Sequence, residues 1–326
     1  MNCDSPLVSV VTPVYNGEKY LGDCIESVLA QTYQNWEYLI VNNCSSDRTL
    51  QIAHDYASKD KRVRVKSNAH FVGVTENHNI AFQHISQRST YCKVVSADDW
   101  LYPECIEKLV EVAEHNPTVG IVGSYAITAN GIRWIGLPYD TTIFRGRQVC
   151  RLYLLGAIDA FGTPSTVLYR STLVRSRCPF FPGSSDNGDL GACLICLESN
   201  DFAFVHQILS FERVHDEAIN TKLRSFNSFL LDRIEFLDGY GPRYLTQEEL
   251  GHRMGKLLRE YYEFLGVAAI NLKNNEFWSY HNRRLKQMGH RLLGIRLAGA
   301  ICMKLLDLLL NPKQTIEKAV RRRNSN

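Results

Sequence analysis

The chain of 326 residues has no biased tract and no evident internal repeat. With 45% hydrophobic and 22% charged residues it is neither disordered nor fibrous. Its opening, MNCDSPLVSVVTPV, has no basic n-region, and the apolar run there reads as a strand, so no secretory leader is expected and the protein is placed in the cytosol. Ten cysteines show no disulfide-like framework, which fits a reducing compartment in a chain this long. Cys193 and Cys196 form a C-x-x-C, but no second pair or nearby His completes a metal set. They read as buried, inert thiols. Toward the end, RLLGIRLAGAICMKLLDLLL (Arg291 to Leu310) lacks the uncharged run of ~20 residues that spans a bilayer.

What is present is alternation. The length allows two units or one large α/β domain. LVSVVTPV is strand-like, Leu21, Cys24, Ile25, Val28 and Leu29 repeat at helical spacing, and WEYLIV is strand-like again. A helix from about Asp47 to Ser58, a strand RVRV, a helix around Thr75 to Ile85, a strand YCKVVS, a helix PECIEKLVEVAEH and a strand TVGIVGSY continue the series. This order predicts βαβ units on a mainly parallel central sheet, with functional loops at the C-terminal strand ends. From about Asn130 to Asn220 turn-rich pieces and short strands (STVLYR, FAFVHQ, LSFERV) mix, and beyond Lys222 the pattern is almost wholly helical. The expected division is a catalytic domain over 1–221, with halves 1–125 and 126–221, followed by a helical region over 222–326.

Each strand end carries polar residues: TPVYNGEKYL after the first strand, NNCSSDRT after the second, SADDW after the fourth. Singly, such residues can be turns and caps and nothing more. Their placement on one sheet edge is the stronger signal. Asp98 and Asp99 could hold a hard cation, or only shape the turn before Pro103 starts a helix at its first position.

VSVVTPVYNGEKYLGDCIESVLAQTYQNWEYLIVNNCSSDRT, then GVTENHNIAF, then ADDWLYPECIEKL resemble the inverting family 2 glycosyltransferases of GT-A fold, from roughly Leu7 to Asn220. The resemblance implies transfer of a sugar from a nucleotide-diphosphate donor, most simply a UDP-sugar, to a hydroxyl of a glycan or lipid-linked saccharide, as in cell-surface polysaccharide synthesis. It implies a divalent cation, Mn²⁺ or Mg²⁺, on Asp98, with His215 as a second metal or phosphate ligand supported by Arg213, and Asp99 as an orienting carboxylate. Thr12, Pro13, Val14, Tyr15, Asn16, Asn42, Ser45, Asp47, Gly73, His78, Asn79, Ser96 and Ala97 would line the donor site. The base that takes the acceptor's proton falls on Asp189, with Asp186 as the fallback register; the alternative for Asp189 is a cap on the helix that follows. A helix N-terminus would keep its carboxylate ionised and weak as a base. Gly162 and Pro164 shape a segment on the acceptor side.

The departures point to a competing class. Ser96 and Asn42 stand where relatives carry acids, Gly191 where a second acid often lies, and His78 replaces an Arg. A nucleotide-sugar-binding or scaffold protein that kept the fold is the alternative. A nucleotidyltransferase would need a basic Gly-rich phosphate loop after the first strand, and TPVYNGEKY does not supply one.

The tail concentrates positive charge. From His281 onward there are 11 Lys+Arg against 2 Asp+Glu, a net of +9, so the preceding residues carry −6 of the overall +3. Arg296, Lys304 and Asp307 share about one quadrant of a helical wheel, leaving a broad apolar face before Pro312 and KAVRRR. The expectation is either a helix lying on an anionic membrane surface at its inner face, or one packed on protein. Nucleic acid is a poor third reading and is not expected as a partner, since no aromatic platform interleaves the basic residues of the last 46 positions.

Overall fold

In the computed structural model the described residues are 5–183, 187–214, 226 and 228–310. The chain divides into two compact units, Met1–His215 and Asp216–Asn326.

The first unit is built on one ten-stranded sheet. β1 (Val8–Val14), β2 (Trp36–Asn42), β3 (Val63–Ser67) and β4 (Tyr91–Val94) pair in parallel in the order β3-β2-β1-β4. All of β1 is buried, as expected of a central strand covered on both faces. Helices α1 (Leu21–Leu29), α2 (Thr49–Lys59) and α3 (Val74–Gln83) make the crossovers. α1 buries Leu21, Cys24, Ile25 and Val28, the face its periodicity predicts.

Beyond β4 the sheet becomes mixed. After β5 (Trp100–Leu101), α4 (Cys105–His115), β6 (Val119–Thr128), β7 (Gly131–Arg133), β8 (Ile143–Phe144) and α5 (Gly146–Leu155) comes β9 (Val167–Arg170). β9 lies antiparallel between β4 and β6. Helices α6 (Ser171–Arg175) and α7 (Gly188–Cys196) follow, then β10 (Asp201–Phe211), parallel to β6. Two strands were expected over FAFVHQ and LSFERV; one is found, because register shifts between Val205 and Ile208 and between Ile208 and Ser210 break the alternation without ending the pairing. α4 begins at Cys105 rather than Pro103, because a tight turn, Cys105 N–H to Tyr102 C=O at 3.0 Å, comes first. Cys193 and Cys196 are buried on α7, and desolvation pushes both thiols up, Cys196 to about 11.

The second unit is helical in its described part: α8 (Ser228–Tyr244), α9 (Gln247–Ile270), α10 (Asn275–Gln287) and α11 (Gly294–Leu310). Thr246 and Glu249 form a reciprocal capping box at the start of α9. Arg284 is clamped by Asp232 at 2.8 Å and Glu235 at 2.7 Å, and buried His281 bridges Tyr261 Oη and the Phe226 carbonyl, both at 3.0 Å. Among the described residues no helix is long and apolar enough to cross a membrane.

Candidate active site

The loops after β1 and β2 are knitted to each other. Asn16, in left-handed conformation, donates its N–H to Ser45 Oγ at 3.0 Å and accepts from Ser46 N–H at 2.9 Å. Gly17 N–H donates to Thr49 Oγ1 at 2.7 Å. Asp47 Oδ2 accepts from Glu18 N–H, and its Oδ1 from Thr49 N–H, both at 3.0 Å, and from the Thr49 hydroxyl. Burial opposes ionisation of Asp47, but these hydrogen bonds outweigh it and its pKa falls below the ordinary value. Asn42 is buried, with its oxygen accepting Ser45 N–H at 3.2 Å and its amide 3.3 Å from Ser67 Oγ. Thr12, Pro13 and Val14 are also buried, and the Thr12 hydroxyl is held by Tyr38 and Val95 at 2.8 Å each. Tyr15 stays exposed, edge-on to Phe71 at 4.8 Å between centroids.

On α3, Gly73 is an exposed N-terminal cap. His78 donates from Nδ1 to the Val74 carbonyl at 2.9 Å and stacks on Phe181. Desolvation lowers its pKa, which disfavours the charged ring, against the hydrogen bond to Val74. Asn79 spends both ends of its amide on the backbone of Phe181, at 2.8 and 3.0 Å.

The acids stand where β4 ends. Asp99 is 6% exposed; its Oδ2 accepts from Ser165 Oγ at 2.6 Å and its Oδ1 from Arg213 N–H at 3.0 Å. Ser165 Oγ also accepts Ser96 N–H at 3.0 Å and lies 3.1 Å from the Ser96 hydroxyl. Beneath them Lys93 is fully buried, donating from Nζ to the carbonyls of Val94, at 2.9 Å, and Ser165. Desolvation draws its pKa down to about 8. Arg213 completes the frame: Nε donates to the Asp98 carbonyl and Nη2 to Asp23 Oδ2, each at 3.0 Å. Its guanidinium lies over Tyr20 and Trp100, 4.2 and 5.0 Å from the ring centres.

Glu212 precedes it. Its Oε1 accepts from Trp134 Nε1 and Thr163 Oγ1, both at 2.7 Å. Asp189 lies in the first turn of α7, after Asn187. Burial raises its carboxyl to about 6, against hydrogen bonds from the backbone of Leu190 and its own N–H, and the charge of Glu212 adds to the rise. The helix start was expected to hold this pKa down; desolvation is the larger effect here. Asp99 is pushed well above the carboxylate range by burial, then by Asp98 and Glu212, and burial raises Glu212 as well, with Asp98 adding. Asp98 and Glu212 thus act on Asp99, Asp98 on Glu212, and Glu212 on Asp189.

His215 and Asp186 lie outside the described residues. Among the described residues no group of three or more His, Cys, Asp or Glu side chains is arranged to hold a metal. Glu212, Ser165 and Lys93 were not foreseen. Glu212 adjoins Arg213 at a strand end and was within reach of the same reasoning; Ser165 meets Asp99 only through the antiparallel strand β9.

A sequence profile described as Glycosyl transferase family 2 matches residues 9–177. An uncharacterized glycosyltransferase of Haemophilus influenzae is 37% identical over 142 residues, 43% of this chain and 43% of that protein, so the match spans less than half of the relative's length. The structure of S. aureus TarS 1-349 in complex with UDP-GlcNAc is similar with a TM-score of 0.62 and 17% identity, over 86% of this chain and 80% of that one. The mannosyltransferase PcManGT from Pyrobaculum calidifontis, in complex with GDP-Man and Mn²⁺, gives 0.54 and 14%, over 93% and 88%. The mixed sheet flanked by helices is the GT-A fold, and with the profile covering more than half its length, the chain belongs to glycosyl transferase family 2.

Proposed function

We propose that the protein is an inverting, cation-assisted glycosyltransferase that moves a sugar from a nucleotide-diphosphate donor to a hydroxyl of a glycan or lipid-linked saccharide. The observation that carries this reading is Asp189, whose carboxyl is raised to about 6 and coupled through Glu212 to the acids after β4. Such a group is ionised near neutral pH yet basic enough to accept a proton.

In the reaction, the acceptor oxygen gives its proton to an Asp189 oxygen while forming its bond to the anomeric carbon. The anomeric bond to the diphosphate breaks on the opposite face, and the diphosphate leaves with the electron pair. Asp98 offers a hard cation oxygen donors, and the like charge it sets against Asp99 and Glu212 is what a positive ion would relieve. Held on Asp98, Mg²⁺ or Mn²⁺ would neutralise charge on the departing diphosphate. Asp99, pinned by Ser165 and Arg213, fixes the turn that carries Asp98. The exposed Tyr15 and Asn16 beside Asn42 and Ser45 suit a nucleoside, and the UDP-GlcNAc in TarS favours uridine over the guanosine of PcManGT.

The test is calorimetric binding of UDP, GDP, dTDP and CMP, each with and without Mn²⁺. One nucleotide is expected to bind only with Mn²⁺ and to be lost in Asp98→Ala. If no nucleotide binds under any condition, the transferase reading gives way to the scaffold one.

A further inference from the structure

Helix α11 packs on α9 with one side and leaves the other bare. At 100° per residue, Leu297, Ala300, Ile301, Lys304 and Leu308 share one side of the helix, and all are half-buried. Ala300 sits so close to Gly266 of α9 that a Cβ at 266 would come within 3.0 Å of its backbone. The opposite side holds Ile295, Met303, Leu306, Leu309 and Leu310. Ile295 is 84% exposed, Leu309 75% and Leu310 77%. A continuous apolar stripe of this kind on a surface helix calls for an occupant.

We propose that this face docks flat on an anionic bilayer surface. At 17 residues the helix measures about 26 Å, too short to cross the ~30 Å hydrocarbon core, and its polar groups sit to one side as an interfacial helix requires. Charge selects the occupant. Arg296 flanks the stripe and also lines a cleft of about 370 Å³ between α9 and α11, together with Arg259, Tyr262, Glu263 and Leu258. Two guanidinium groups against one carboxylate leave that cleft positive, which suits the phosphate of a lipid headgroup beside a buried acyl edge. A second copy of the chain is the poorer fit. A two-fold contact through this stripe would bring together two helical segments whose described part, from His281 to Leu310, carries six Lys and Arg against one Asp. The proposal does not depend on the transfer reaction.

The experiment is flotation of the full chain with phosphatidylcholine vesicles, with and without phosphatidylglycerol, at low and high salt. The protein is expected to float only with the phosphatidylglycerol vesicles, and less so at high salt. Arg296→Ala should weaken binding roughly fivefold. Leu306→Glu combined with Leu309→Glu should abolish it while leaving Mn²⁺-dependent nucleotide binding unchanged, since both side chains already face solvent. Failure to float with anionic vesicles, equal binding to neutral ones, or equal binding by the double variant would each overturn the proposal. So would a dimer that the double variant dissociates, in a protein that ignores vesicles.

Discussion

The loops after β1 and β2 and the acids after β4 occupy the same sheet edge and solve opposite problems. In the first pair, Asn16, Gly17 and Glu18 bond across to Ser45, Ser46, Thr49 and Asp47, and Asp47 is stabilised as an anion by the donors around it. In the second, carboxylates crowd one another: Asp99, Glu212 and Asp189 are all pushed upward by burial and by like charge. Residues of similar appearance in a sequence thus divide by electrostatics. The satisfied acid builds the loop, and the frustrated ones are where chemistry is to be expected.

The largest effect that would break this contrast is at Asp189. Asp189→Asn should lower sugar transfer by roughly 10³-fold with nucleotide affinity unchanged. In the parent, transfer should fall as pH drops through about 6, because the base must be ionised. Stability should move the other way. A carboxyl raised from 3.8 to about 6 contributes stability that is present below its unfolded pKa and lost as pH rises through 6. At pH 7 the uncharged variant should therefore be more stable, by up to about 3 kcal/mol, read as a higher Tm. A lower Tm would show that the buried charge has unseen compensation.

A smaller effect is expected beneath the acids. Lys93→Met orphans the Val94 and Ser165 carbonyls and should cost about 1–3 kcal/mol in urea unfolding. Because Ser165 pins Asp99, Mn²⁺-dependent nucleotide binding should weaken as well. The smallest effect belongs to the satisfied loop. Asp47→Ala removes a turn cap worth about 1 kcal/mol, and the parent's share of that stability should vanish as pH falls below 3.8, where the depressed carboxyl finally protonates. A loss of nucleotide affinity far exceeding that of stability would mean that Asp47 also contacts the donor, and the contrast between the loops would need redrawing.

The sequence carried the parallel half of the fold well, since Val8 to Val14 and the Leu21, Cys24, Ile25, Val28 face are local patterns that burial enforces. It carried the placement of Asp98, Asp99 and Asp189 at element ends for the same reason. What was not legible is tertiary. The merging of two apparent strands into β10 depends on register shifts in its pairing with β6, a partner distant in the chain. The lowered pKa of His78 follows from burial beside Phe181, far along the chain, and the raised pKa of Asp189 from its own burial at the start of α7. No spacing rule links Ser165 to Asp99.

Arg213 gives the site a birth order. Strands β1 to β4 are complete by Val94 and pair with one another, so this part of the sheet can assemble early. The turn bearing Asp98 and Asp99 cannot, because the groups that fix it arrive later: Ser165 with β9, and Arg213 at the end of β10. Contacts spanning that much chain form late, since long loops must close first. On the ribosome the nascent domain would hold a sheet before it holds a site, and the acids would take their final places only after residue 213 has emerged.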